Sequence, residues 1–220
     1  MLKEKQLKEG SKEMLLNENN ICKLEGKLAG RFEFSHQKNS ENFYSNVIKV
    51  ERLSGNVDEI PIVVSERRKE IDFSKDYTGV NFILSGTVET YNYIKMGKSH
   101  LKVYVLVISC ALQKGDIQED NYVYLEGYIC KKPVFRITPQ GKKITDVIIA
   151  VNSFKKSAYI PCIAWNNNAL ELSKYNIGDS LKIKGRIQSR EYLKMYSDNL
   201  EQAEKKTAYE VSIYDLKKLG

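Results

Sequence analysis

The sequence predicts an all-β protein built as one small barrel unit repeated in tandem. Three observations predict it. Short β-type runs alternate with Gly, Pro and Asn punctuation through residues 121–192. Only one piece there, Ala169-Leu-Glu-Leu-Ser-Lys-Tyr175, has helical character, and it falls between the third and fourth runs. An earlier stretch repeats the same landmarks at a nearly constant spacing. Strand, strand, strand, helix, strand, strand is the order of a five-stranded OB barrel. The expected fold is therefore two tandem five-stranded OB-fold barrels, each with a short helix between strands 3 and 4.

The elements follow in order. Residues 1–18 mix Lys and Glu with few apolar side chains and are interrupted by Gly10. They read as a charged segment, at most a frayed or partner-dependent helix. Residues 19–112 form the first, divergent unit, 113–120 a polar linker, and 121–220 the second unit. The repeat is carried by Asn20 to Gly26 against Asn121 to Gly127, and by Ile60-Pro61 against Ile160-Pro161. It continues with Gly79 against Gly178, Gly86 against Gly185, and Tyr93 against Tyr192. Val103-x-Val-x-Val107 then matches Tyr209-x-Val-x-Ile213 at a larger spacing, so one hairpin loop has lengthened, at small entropic cost. Gly26 and Gly127 are read as bends in the first strand, and Gly178 as a turn. Ile148, Ala150, Ile160 and Ile163 are the core candidates of the second unit.

Composition narrows the function. The net charge of +7 and 14 Tyr suit a polyanion whose bases can stack on flat rings. Cys22, Cys110, Cys130 and Cys162 include no Cys-x-x-Cys pair and read as buried thiols of a reducing, cytoplasmic compartment. No metal site and no cofactor is expected. The two histidines, His36 and His100, stand in polar, loop-like contexts and do not recur between repeats, so no catalytic residue is assigned. The acids are scattered among lysines, which argues against a metal-dependent nuclease. No apolar run reaches membrane-spanning length.

The second unit also resembles the bacterial single-stranded DNA-binding protein family. The matching pieces are Asn121-x-x-x-Leu-x-Gly127, Pro133, Arg136, Ile149-Ala-Val-Asn152, Tyr159-x5-Trp165 and Gly185-Arg-Ile-x-Ser-Arg-x-Tyr192. The resemblance implies that Phe154, Tyr159, Trp165 and Tyr192 occupy or adjoin base-stacking positions. Arg136, Lys142, Lys143, Lys155, Lys156, Lys184, Arg186, Arg190 and Lys194 interleave with them and are expected to neutralise phosphates. The implied partner is single-stranded DNA with little sequence preference. Single-stranded RNA stays open, because nothing here reads a 2′-hydroxyl. The family assembles four OB folds, so a homodimer of this chain is expected.

The sequence departs from the family in two places. In the first unit Ser54, Glu59 and Ser65 stand where Phe154, Tyr159 and Trp165 stand in the second, and only Tyr93 keeps its ring. Phe34, Phe43, Tyr44 and Tyr91 are read there as strand-core residues, with substitute stacking, and Arg31 and Arg52 near phosphates, as the alternative. The end, Val211-Ser-Ile-Tyr-Asp-Leu-Lys-Lys-Leu-Gly220, carries no acidic, aromatic-tipped recruiting tail. That points to a dedicated role, such as service of a mobile element, rather than a hub in replication, recombination or repair. The alternative is a protein-interaction or primosome-like accessory module, since OB barrels host unrelated functions.

Overall fold

The computed structural model describes residues 18–113, 121–153, 156–195 and 203–219. Six strands form the first unit: β1 (Asn20–Leu28), β2 (Glu33–Lys38), β3 (Glu41–Glu51), β4 (Val57–Ser65), β5 (Asn81–Lys95) and β6 (Lys98–Leu112). Six more form the second: β7 (Asn121–Ile129), β8 (Val134–Ile137), β9 (Lys143–Val151), β10 (Ala158–Trp165), β11 (Ser180–Met195) and β12 (Ala203–Lys218). The helix α1 (Asn166–Leu172) lies between β10 and β11.

Each unit closes on itself. In the first, β1 pairs with both β3 and β5, β3 with β4, β5 with β6, and β4 runs parallel to β6. In the second, β7, β9, β10, β12 and β11 repeat that circuit, with β10 parallel to β12. One parallel contact in an otherwise antiparallel five-strand circuit is the OB topology expected from the sequence. β2 and β8 are additions outside the circuit, each a short hairpin partner of the strand that follows it.

The strands form because their apolar residues recur every second position. In β7, Val123, Leu125 and Ile129 point inward while Tyr122, Tyr124 and Tyr128 do not. At its bend, a Cβ on Gly127 would lie 2.4 Å from the Ala150 carbonyl oxygen. Gly26 meets the Lys49 carbonyl oxygen in the same way. Only a residue without a side chain lets β7 cross β9 so closely. Gly127→Ala is therefore expected to destabilise the protein by roughly 2–3 kcal/mol, as overpacking does. In a thermal melt of a chain of this size, that lowers Tm by about 4–12 °C.

Two expectations need correction. First, no helix separates β4 from β5. Asp72 accepts hydrogen bonds from the Ser74 backbone and hydroxyl, and Asp76 does the same for Thr78. These local turns compete with helix formation. The end of the first barrel is closed instead by Ile71 and by Phe32, Phe73 and Tyr77, whose rings meet edge to face. In the second unit the helix begins at Asn166, three residues before the predicted start, and docks through Ala169 and Leu172. Second, β9 is turned over relative to the expectation. Val147, Ile149 and Val151 are buried, while Ile148 and Ala150 face outward. The run Val147 to Val151 is apolar throughout, so the alternation that would fix its inward face is absent. Ile160 and Ile163 are buried as expected.

β1 and β7 pair antiparallel, joining the two barrels into one twelve-strand sheet. The register places Asn20 opposite Leu125, Cys22 opposite Val123 and Leu24 opposite Asn121. Because those are repeat-related positions, the two barrels meet about a local two-fold. Asn20 and Asn121 make equivalent bonds, each within its own barrel. The Asn20 side chain bonds both backbone groups of Val88 at 2.9 Å, and Asn121 bonds those of Ile187 at 2.7 and 2.9 Å.

Candidate nucleic-acid interface

The outward face of β9 and β10 is the centre of the candidate site. Along β10, Ala158, Ile160, Cys162 and Ala164 point into the core; Tyr159, Pro161, Ile163 and Trp165 lie on the other side, where Ile163 is itself covered. Their cross-strand partners are Ala150, Ile148, Asp146 and Ile144. Two rings therefore bracket one ladder, six residues and about 20 Å apart. Tyr159 is 49% exposed. Trp165 is half-buried, ends the strand, and donates its indole N–H to Ser212 Oγ at 3.1 Å. That bond fixes the ring plane and leaves its face as the part available for stacking.

The basic residues fall into two groups. Lys142 and Lys143 are exposed at the turn between β8 and β9. Arg190 spans from Glu210, at 3.5 Å, to the Tyr192 ring, whose centre lies 5.7 Å from its guanidinium carbon. Lys184 pairs with Asp215 at 3.5 Å, with both side chains at least half exposed. Arg136 is held by both oxygens of Asp146, at 2.7 and 3.3 Å, and that hydrogen bond keeps its guanidinium pKa above the usual value.

Two of the expected phosphate contacts serve the seam between barrels instead. Arg186 donates to Asp58 Oδ2 at 3.1 Å. Arg52 Nε donates to the same oxygen at 2.7 Å and its Nη2 to Oδ1, while the Ser189 backbone N–H reaches Oδ1 at 2.9 Å. Asp58 itself is fully buried. The hydrogen bond to Asp58 raises the Arg52 pKa, whereas burial, and then the charge of Arg52, lowers that of Arg186. Both remain cationic at neutral pH. Lys156 reaches across to the Thr90 carbonyl at 3.2 Å and to Glu89 at 3.9 Å. Beside it, the Tyr159 backbone N–H donates to Thr90 Oγ1 at 3.0 Å. Glu59, which stands at the matching position of the first unit, donates its N–H to Ser189 Oγ at 3.1 Å. The seam is thus clamped reciprocally on both sides. Phe154 and Lys155, and the side chain of Lys194, lie outside the described residues.

The histidines are not loop residues. His36 lies in β2 and stacks on Phe43 at 4.9 Å, and His100 lies in β6 and stacks on Tyr93 at 5.3 Å. Tyr93 and Tyr192 both line an open cleft of about 890 Å³ between the β5–β6 and β11–β12 hairpins. Phe34 and Tyr91, expected in the core, are 61% and 42% exposed. Sequence reasoning missed the Asp58 cluster entirely. Its only signal was an Asp-Glu pair at the start of an otherwise apolar strand, with Arg52 six residues before Asp58 and Arg186 128 residues after it.

Comparison with known proteins agrees with this architecture. Residues 120–219 match the model of the single-strand binding protein family. Single-stranded DNA-binding protein 1 of Lactococcus lactis is 35% identical over 80 residues, covering 33% of this chain and 53% of that protein. The single-stranded DNA-binding protein of Halalkalibacterium halodurans is 31% identical over 80 residues, covering 33% and 48%. The chain thus spans about half the length of these curated relatives. The wild-type single-stranded DNA binding protein from Thermus aquaticus superposes with a TM-score of 0.73 over 91% of this chain and 93% of that one. At 20% identity that likeness is one of fold. The closed OB circuit occurs twice in the chain, and the second occurrence is the one that matches the single-strand binding protein family model, over residues 120–219.

Proposed function

We propose that the chain binds single-stranded DNA with little sequence preference, and that the second of its two domains, residues 121–220, is the principal site. The observation that carries this is the β9–β10 face, where Tyr159 and Trp165 bracket one ladder beside the exposed Lys142 and Lys143. Stacked rings replace base–base stacking, and lysines neutralise phosphates and so release the cations condensed on the strand. Nothing at this face needs a base-specific hydrogen bond, so binding is tolerant of sequence. No step of bond making or breaking is part of this reading. Two chains supply four OB folds, so the working form is a homodimer. It acts in the cytoplasm, in replication, recombination or repair, including that of a mobile element.

The test is an oligo-dT titration followed by Trp165 fluorescence, at low and high salt. Trp165 is the only tryptophan, so quenching reports one place. Strong quenching is expected, with affinity falling by about 300-fold between about 50 and 200 mM salt if roughly six phosphates are neutralised. Mobility-shift binding without quenching would move the site off β10. Absence of binding at low salt would falsify the reading and leave a protein-interaction module. An oligo-rU of the same length, titrated in parallel, separates DNA preference from a general single-strand preference.

A further inference from the structure

Tyr159 stands where its own barrel leaves a strand uncovered. β10 pairs with β9 along its whole length, from Ala158 to Trp165, but with β12 only from Cys162 to Ala164. Its first residues therefore have a strand of their own barrel on one side alone. On the other side lies β5 of the first barrel. There the Thr90 hydroxyl oxygen accepts the Tyr159 backbone N–H at 3.0 Å, and the Thr90 carbonyl accepts Lys156 Nζ at 3.2 Å. A backbone donor at a strand end that lacks a ladder partner needs another acceptor, or the end frays.

Thr90 is well placed to hold a neighbour. It is buried, and it sits in the β5–β6 ladder opposite Val103. Two residues earlier, both backbone groups of Val88 are held by the side chain of Asn20. Asn20 belongs to β1, the strand that pairs with β7, so the Tyr159 end of β10 is tied to the strands that join the barrels. The two rings of the face are thus fixed from different barrels. Trp165 is oriented by Ser212 of its own barrel, and the Tyr159 amide is held by Thr90 of the other.

The same contact occurs on the opposite side of the seam without a ring. β4 pairs with β6 only from Ile62 to Val64, and the N–H of Glu59, the residue matching Tyr159, donates to Ser189 Oγ at 3.1 Å. Ser189 is the residue matching Thr90. The bond and its place in the fold are alike, and only the side chain it presents differs.

We propose that Thr90 is a positioning residue of the second barrel's single-strand site, through which the first barrel sets where the Tyr159 ring stands relative to Trp165. This rests on the single-stranded DNA reading of the β9–β10 face. Binding side chains must be held within about 0.5 Å of their productive geometry, and supporting hydrogen bonds are what hold them. The first barrel, which lacks rings at the three matching positions, so acquires a part in the site of the second.

The test uses the full chain and fluorescence anisotropy on labelled oligo-dT. Thr90→Val removes the hydroxyl but keeps the carbonyl that holds Lys156. Affinity is expected to fall about threefold to tenfold, a part of what one stacked base contributes. Its salt dependence should not change, because no cation is lost. Thr90→Ser keeps the hydroxyl and should bind within about twofold of wild type. Ser189→Ala removes the matching bond on the ringless side and should also stay within about twofold. In a Tyr159→Ala background, Thr90→Val should cost nothing further, since the ring it positions is gone. Thr90→Ala, which only removes atoms, replaces the valine variant if that one fails to fold. Unchanged affinity in the Thr90 variant overturns the proposal. An equal loss in Ser189→Ala, or an undiminished loss in the Tyr159→Ala background, overturns it too and leaves Thr90 as a seam residue only. A wild-type chain that binds oligo-dT yet is indifferent to Tyr159→Ala removes the β10 stacking reading, and the role of Thr90 with it.

Discussion

Replacing Tyr159 and Trp165 together by alanine is expected to cost roughly 2–6 kcal/mol of single-strand affinity, since each stacked base contributes about 1–3. That is a loss between about thirtyfold and ten-thousandfold. Two features of the geometry protect the interpretation. The interbarrel hydrogen bond of Tyr159 is made by its backbone N–H, so truncating the side chain leaves it in place. Trp165 does have a structural bond, to Ser212, and it precedes α1, so its removal also lowers stability. Trp165→Phe, which keeps a ring and loses the indole N–H, separates the two effects: stability should fall and binding should largely persist. Phe34→Ala removes an exposed ring from β2, away from β9 and β10, and serves as the comparison. Affinity of the double variant within about twofold of wild type, measured by fluorescence anisotropy on labelled oligo-dT, would overturn stacking on β10.

Asp58→Ala is expected to destabilise the protein by about 3–5 kcal/mol, because it strips the shared acceptor from two partly buried guanidinium groups. Asp58 receives Arg52 on both oxygens, Arg186 on one and the Ser189 N–H on the other, with no exposure to water. Without it, Arg52 and Arg186 face each other and the Ser189 amide loses its partner. Ser189 and Arg186 belong to the second unit and Asp58 and Arg52 to the first, so the loss falls on the seam. Urea denaturation should show either a large drop in midpoint or a split into two transitions, one per barrel. Asp58→Ala with Arg186→Leu should recover part of the loss, since it leaves one guanidinium without its carboxylate at the seam instead of two. A midpoint unchanged in Asp58→Ala would mean that the cluster contributes nothing net, as some buried ion pairs do.

The cluster also breaks the local two-fold. The position matching Asp58 in the second unit is Ala158, which is simply buried. On that side the seam is closed by Lys156, Thr90 and Glu89. The two barrels are therefore related in fold but not in how each side of their contact is paid for, and the first barrel's rings have moved from its middle strands to its last hairpin.

Sequence by itself determined the β elements, the OB order, the repeat and the ring positions on β10. These are encoded locally: glycine is needed where β1 and β7 cross a neighbouring backbone, and period-two spacing places Tyr159 and Trp165 on one side of their strand. Tertiary structure alone decided three things. It turned β9 over, because an unbroken apolar run carries no alternation to say which face is inward. It closed the first unit's helix-free end by bringing Phe32 against Phe73 and Tyr77, over the local Asp72 and Asp76 turns. It also drew Arg186 into the seam with Asp58, 128 residues away, and laid Lys102 and His100 against Tyr91 and Tyr93. A charged or aromatic residue's spacing along a strand says which side of the strand it is on. Which partner waits on that side depends on chain closure and on the β1–β7 pairing, and those are set by long-range packing rather than by any local run of residues.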